Sequence, residues 1–367
     1  MWQIDEAALE RIEIGAGILG TGGGGNPYLG RIHARELLRQ GKTITVANLS
    51  EVDDDALITS VGGMGAPVIS IERPPQGDEY QRAVRSLERH IGRQFTHLVP
   101  GEIGGSNSTR PLIVSAQTGL PVIDGDGMGR AFPELQMCTF MMEGISATPA
   151  ALADYTGTTA IFDDNPDPGV LERYARSVTI QMGGACGYAF PVMSGAELKR
   201  TIIPGTLTLA YDIGDEVLQA RADKRDPIAA ALNVTGGHPI FQGKLTNVAR
   251  RLVGGFARGV VAIEGTGSSE GRTITIDFQN ENLIARERNG EVLAVVPDLI
   301  CIVDQDTAAP ITTEVLRYGL RVTVLGIPAP RQLRTRNALA TIGPAAFGYP
   351  DVEPVPLAGR FGNGRYF

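Results

Sequence analysis

Two short stretches rich in acids and glycine hold the residues best suited to chemistry. Glu102 stands in GEIGGSNSTRP, just past the apolar run THLVP, and Asp124 and Asp126 stand in DGDGMGRAFPELQM, just past PVI. Where neighbouring strands of an open parallel sheet end, the residues beyond their carboxyl ends line a shared crevice. Glu102, Asp124, Asp126, Asn107 and Arg130 are therefore expected to converge. Crowded carboxylates repel, and the repulsion raises the pKa of one until it can carry a proton near neutral pH, unless Arg130 or a metal neutralises the set. Hard oxygen ligands such as Asp124 and Asp126 suit a divalent metal, Mg2+ or Mn2+, with Zn2+ also compatible. In the competing structural reading, the two aspartates make Asx turns and Glu102 caps the next helix. The recurrence of acids and glycines at two successive strand ends favours the catalytic reading.

A second candidate is the loop GILGTGGGGNPYLG, residues 17–30. Its glycines match a dinucleotide fingerprint in spacing, but that fingerprint needs a strand before it, and the preceding pattern is helical. A phosphate loop would end in Gly-Lys-Ser/Thr, and this one ends Gly-Asn-Pro. What remains is a helix, a glycine loop and a second helix opened by Asn26-Pro27. Backbone N–H groups of Gly22, Gly23, Gly24, Gly25 and Asn26, together with the positive end of a helix dipole, suit a carboxylate or a polarised carbonyl. A tight turn between packed helices would also use glycine.

The elements that must position these residues alternate in type. Asp5 to Gly15 reads as a helix capped by Asp5, and Asn26 to about Gln40 as the second helix, stopped by Gly41. TITVANL and ALITSVG read as strands, with VISI (68–71) as a weaker one. A helix in DEYQRAVRSLERHIG precedes THLVP, another precedes PVID, and TTAIFDD and PGVLERYARSV add a strand and a helix. This order predicts an α/β domain over residues 1–180, a mostly parallel sheet with flanking helices. From 181 to 367, an interrupted helix around Ser194–Arg221 gives way to short β-branched runs separated by Gly or Asn-Gly. They predict a β-rich C-terminal domain with hairpins.

Composition narrows the function classes. The chain has 367 residues, 43% hydrophobic and 20% charged, with a net charge of −8. That balance offers no basic footprint for nucleic acid and no attraction to an anionic membrane. The apolar runs are too short to span a bilayer, and the acidic N-terminus is unlike a signal peptide, so a cytoplasmic location is expected. Cys138, Cys186 and Cys301 show no metal or disulfide spacing. Cys186, in QMGGACGYAF, is a conceivable nucleophile, although no His or Lys adjoins it to lower its pKa. The four histidines are scattered, with His238 in TGGHPIF the one that could reach a domain interface. Asp298, Asp304 and Asp306 flank the run ICIV as cleft or turn acids.

LGTGGGGNPYLG, EIGGSN, DGDGMGRAFPELQM and the terminal GPAAFGYPDVEPVP together resemble the S-methyl-thiohydantoin desulfurase family, over nearly the whole chain. The resemblance implies a small-molecule substrate, a thiohydantoin or S-methyl-thiohydantoin, attacked by water at C2 with loss of sulfide or a thiol. It also implies a gene neighbourhood with hydantoinase/oxoprolinase-type enzymes, and hence the alternative that the chain is a non-catalytic partner subunit of one. On the catalytic reading Asp126 or Asp124 is the base or metal ligand, Glu102 its partner, and Asn107 and Arg130 orient the ring or a substrate carboxylate. A homodimer is expected only from the general prevalence of dimers.

Overall fold

The computed structural model describes residues 1–165 and 167–357. The last part of the expected C-terminal domain, residues 358–367, lies outside the described residues. Strand β1 (Trp2–Gln3) leads into helix α1 (Glu6–Leu19), whose cap is the expected one: the Asp5 carboxylate accepts from Ala8 N at 2.7 Å. The glycine loop follows, and α2 (Tyr28–Arg39) starts just past Pro27, with Asn26 Oδ1 accepting from Tyr28 N. Next come β2 (Thr45–Ala47), β3 (Leu57–Gly65), α3 (Pro67–Glu72), α4 (Glu79–Ile91), β4 (His97–Pro100), α5 (Arg110–Thr118), β5 (Val122–Ile123) and the short β6 (Gly125–Asp126). VISI, expected as a strand, belongs to helix α3. Gly65 leaves the strand at φ 145, and Pro67 pre-sets the first helical turn.

The chain continues through α6 (Thr139–Met142), β7 (Ala150–Ala153), β8 (Thr159–Phe162), α7 (Pro168–Gln181) and β9 (Ala185–Ser194). Eight strands form one sheet in the order β1-β2-β5-β4-β3-β9-β7-β8. Only β2, β5, β4 and β3 pair in parallel, while β1, β9, β7 and β8 join antiparallel. The sheet is mixed rather than mostly parallel. The reason is β9: it enters from α7 against β3 and begins an antiparallel extension toward β7. It lies past residue 180 yet belongs to the N-terminal sheet.

Helices α8 (Gly195–Thr201), α9 (Thr206–Ala222) and α10 (Pro227–Thr235) follow, with the two-residue strand β10 (Ile203–Pro204) pairing with β6. Helices α1 and α9 pack with backbones close together. A Cβ on Gly15 would strike the Ala210 carbonyl, and one on Gly214 the Arg11 carbonyl. The second sheet is antiparallel throughout, built from β11 (His238–Val253), β12 (Phe256–Gly265), β13 (Thr273–Gln279), β14 (Glu281–Glu287), β15 (Val292–Val295), β16 (Leu299–Asp304) and β17 (Arg321–Ile327). It curls until β14 comes back to β16, where Asn282 Nδ2 donates to Ile300 O at 2.8 Å. Alternate residues such as Phe241, Leu245, Val261, Ile263, Ile274 and Ile276 fill its own core. No helix among the described residues is long and apolar enough to cross a membrane.

Candidate functional site

The glycine loop meets a second glycine loop. Gly24 (φ 67) and Gly25 (φ 78) lie against Gly104 and Gly105, and Ser106 N donates to Gly24 O and Gly25 O at 2.9 and 3.0 Å. A side chain at Gly24 would collide with the Gly104 carbonyl, so the glycines permit backbone-on-backbone contact. The loop also reaches the C-terminal sheet: Asn282 N donates to Thr21 O, Thr313 N to Gly22 O, and Gly24 N to Glu281 Oε1 at 3.1 Å. It is a seam between the two halves.

Beside that seam is a cleft of about 920 Å3, its open mouth included, lined by Gly24, Gly25, Gly63, Glu102, Asn107, Arg110 and, from the other half, Asn280 and Glu281. Glu102 sits just past β4. Its Oε1 accepts from Asn107 Nδ2 and its Oε2 from Phe132 N at 3.1 Å. Asn107 is itself held, accepting through Oδ1 from Gly63 N at 2.7 Å and from Arg110 Nη1. Burial raises the Glu102 carboxyl to about 7, with the charge of Asp126 adding to it and the Asn107 and Phe132 donors and the Arg110 charge opposing.

Glu281 opens β14 and is 2% exposed. Burial, and then repulsion from Glu102, holds its carboxyl well above the usual carboxylate range. Its Oε2 is buried with no partner. An orphan oxygen of this kind suits the O–H of a protonated carboxyl better than a charged one.

The other expected site residues do not line the cleft. Asp124 caps α9, accepting through Oδ1 from Leu207 N and Thr208 N at 3.0 and 3.1 Å and through Oδ2 from Thr208 Oγ1 at 2.5 Å. Asp126, fully buried, collects the amides of Ile103, Met128 and Gly129 on Oδ2 at 2.8–3.0 Å. Burial raises it to about 7 against those three donors. It shapes the loop that carries Glu102 instead of facing the cleft.

Asp124 has both oxygens filled by α9, and Asp126 has Oδ2 filled by three amides while its buried Oδ1 has no partner, so the pair does not offer a metal two open carboxylates. Among the described residues, no three His, Cys, Asp or Glu side chains are placed to hold a metal ion. Arg130 is also structural. Its five N–H groups reach Ala131 O, Pro297 O, Asp298 O, Thr21 Oγ1 and Asn282 O, joining the halves from a fully buried position. Asn26 lies outside the cleft lining, as do Gly22 and Gly23. A side chain at Gly23 would displace the Glu281 carboxylate.

Cys186 lines the cleft, but burial pushes its thiol up to about 11, with Thr179 Oγ1 3.3 Å away, so it stays protonated at neutral pH. Cys138 and Cys301 are buried core. His238 begins β11 away from the cleft, and Asp298 accepts from Ala329 N and Leu357 N and pairs with Arg334.

Two family models match the chain, the S-Me-THD-like N-terminal domain over residues 7–164 and the S-Me-THD-like C-terminal domain over 166–357. The chain belongs to the S-Me-THD-like family, named for S-methyl-thiohydantoin desulfurase. It is similar to a Chromobacterium violaceum protein whose X-ray crystal structure was solved as a structural-genomics target. The two share 25% identity over 97% of this chain and 100% of that one, with a TM-score of 0.82. No curated protein matches it.

Two cleft residues of this S-Me-THD-like chain escape sequence reasoning. Arg110 had a local signal, since it lies one helical turn past Asn107. Glu281 had none. QNEN reads as a hairpin turn, and Asn280 does take a positive φ of 58, but only the tertiary fold brings the next residue to Gly24.

Proposed function

We propose that this S-Me-THD-like chain is a hydrolase of a small cyclic imide of the S-methyl-thiohydantoin kind. Water attacks C2 and a thiol departs. The observation that carries the reading is the pair of buried carboxyls, Glu102 and Glu281, brought to one cleft from opposite halves and held in unlike surroundings. Glu102, with a donor on each oxygen, is the base. Glu281, with an orphan oxygen, is the acid.

Water loses one proton to Glu102 as its oxygen bonds to C2, and the C2=N3 electron pair withdraws onto N3, which then takes that proton from Glu102. Collapse to the carbonyl breaks C2–S. Glu281 gives its proton to the departing sulfur and recovers one from the new hydroxyl, so both carboxyls end as they began. Arg110, anchored by Asn107, supplies positive charge for the electron density that builds on the ring. No step draws on a metal. A buried polar cleft of this kind also favours an enzyme over a docking subunit of a hydantoinase/oxoprolinase-type partner, which would need an apolar face.

The test is thiol release from S-methyl-thiohydantoin, read with a thiol reagent, by the parent protein and by Glu102→Gln and Glu281→Gln. Each substitution is expected to cut kcat by about 10²–10⁴-fold with the fold retained by circular dichroism. Full activity in both variants overturns the assignment.

A further inference from the structure

One hydroxyl at the cleft has no role in that chemistry. Tyr188, on β9, lines the cleft with Glu102 and Arg110 and is 6% exposed. Strand register sets it opposite Gly62 of β3. A Cβ on Gly62 would stand 2.4 Å from Tyr188 Oη, and one on Gly101, just past β4, 2.3 Å from the same atom. Neither glycine has a positive φ, so backbone conformation demands neither. What the two share is the space they leave for one hydroxyl, between β3 and the loop that carries Glu102.

The surroundings keep that hydroxyl a donor. Burial, and then the charge of Glu102, raises the phenol well above the usual tyrosine range, so it holds its proton wherever Glu102 titrates. Ser60 Oγ lies close by and can donate to the phenol oxygen, which leaves the phenol proton for the cleft. The ring packs against Phe190, with centroids 4.8 Å apart, which limits its freedom to turn.

With Glu102 as the base, the attacking water lies within hydrogen-bond reach of its carboxylate. An ionised carboxylate accepts and cannot donate. As that water becomes first the hydroxyl and then the carbonyl oxygen at C2, charge builds on it that calls for a donor. Arg110 is anchored on Asn107 and serves the ring. Tyr188 is a neutral donor on the Glu102 side, free of such a task.

We propose that the Tyr188 hydroxyl is a further catalytic group, donating a hydrogen bond to the oxygen that arrives at C2. No proton leaves the phenol, which stabilises the charge on that oxygen and is unchanged after the turnover. The inference deepens the hydrolase reading and rests on it for the reaction. The test is Tyr188→Phe, which keeps the ring and removes only the hydroxyl. With S-methyl-thiohydantoin, kcat is expected to fall about 10²–10³-fold, with KM within about twofold of the parent value. Calorimetry needs no turnover. Hydantoin, with its oxygen at C2, should bind the variant about three- to tenfold more weakly, whereas imidazolidin-4-one, the same ring without that oxygen, should bind parent and variant alike. Equal hydantoin affinity in the two proteins, or no binding by either, overturns the inference even if the thiohydantoin is hydrolysed. Equally weakened binding of both rings also overturns it, because the loss then concerns the shape of the cleft. Selective loss of hydantoin binding sustains it even if neither protein releases thiol, in which case it is the hydrolase reading that falls.

Discussion

A base that must be ionised and an acid that must be protonated give a bell-shaped rate profile. Glu102 titrates at about 7, so kcat/KM is expected to rise through that pH and to fall at higher pH as Glu281 loses its proton. In Glu281→Gln the falling limb should vanish, and its persistence would remove Glu281 from the role. The same groups act on stability in the opposite sense to an ion-paired carboxylate. A raised folded-state pKa means that the native state holds its proton while the unfolded chain has released it. Stability is therefore whole below about 4.5 and declines as pH rises toward the folded value, by about 1.4 kcal/mol for each unit of elevation. Urea unfolding should find Glu281→Gln level with the parent near pH 4.5 and more stable at pH 8, because unfolding the parent there releases a proton from the Glu281 carboxyl and the variant has none to release. Glu102 and Asn107 were legible as cleft residues because both sit past a strand end. Asp124 and Asp126 share that position but face amides, and no sequence pattern distinguishes a carboxylate aimed at a cleft from one that caps a helix.

At the scale of elements, the glycine run separates into two roles that substitution can tell apart. Gly23 has no positive φ and faces only the Glu281 side chain, so Gly23→Ala should fold and lose activity by displacing the acid. Gly24 has φ 67 and abuts the Gly104 carbonyl, so Gly24→Ala should cost about 2–4 kcal/mol in chemical denaturation. Equal losses of stability in the two variants would contradict this division. The helix–loop–helix around these glycines was readable from Asp5, Asn26-Pro27 and Gly41, because caps and breakers act locally. The partner of the loop was not, since Gly104 and Gly105 are distant in the chain. Sheet direction was misjudged for the same reason: β9 carries a strand pattern but no mark of which neighbour it pairs with.

For the molecule as a whole, Arg130 is the side chain on which the two halves converge. Burial lowers its pKa to about 10, which leaves it a cation at neutral pH with all five donors engaged. Arg130→Ala would strip acceptors on both sides of the seam at once. The expected loss is about 3–5 kcal/mol, with the single unfolding transition broadening or splitting as the halves uncouple. A sharp, unshifted transition would show that the seam does not depend on it.

Strand β9 leads to a consequence for ancestry. It lies within the segment 166–357 that the C-terminal model matches, yet it is hydrogen-bonded between β3 and β7 of the opposite sheet. A chain severed at the junction of the two matched segments would leave the first piece with a gap in the middle of its sheet and the second with an orphaned ribbon. The two segments are thus bound to be inherited together, and shuffling either one alone into another gene should yield insoluble product.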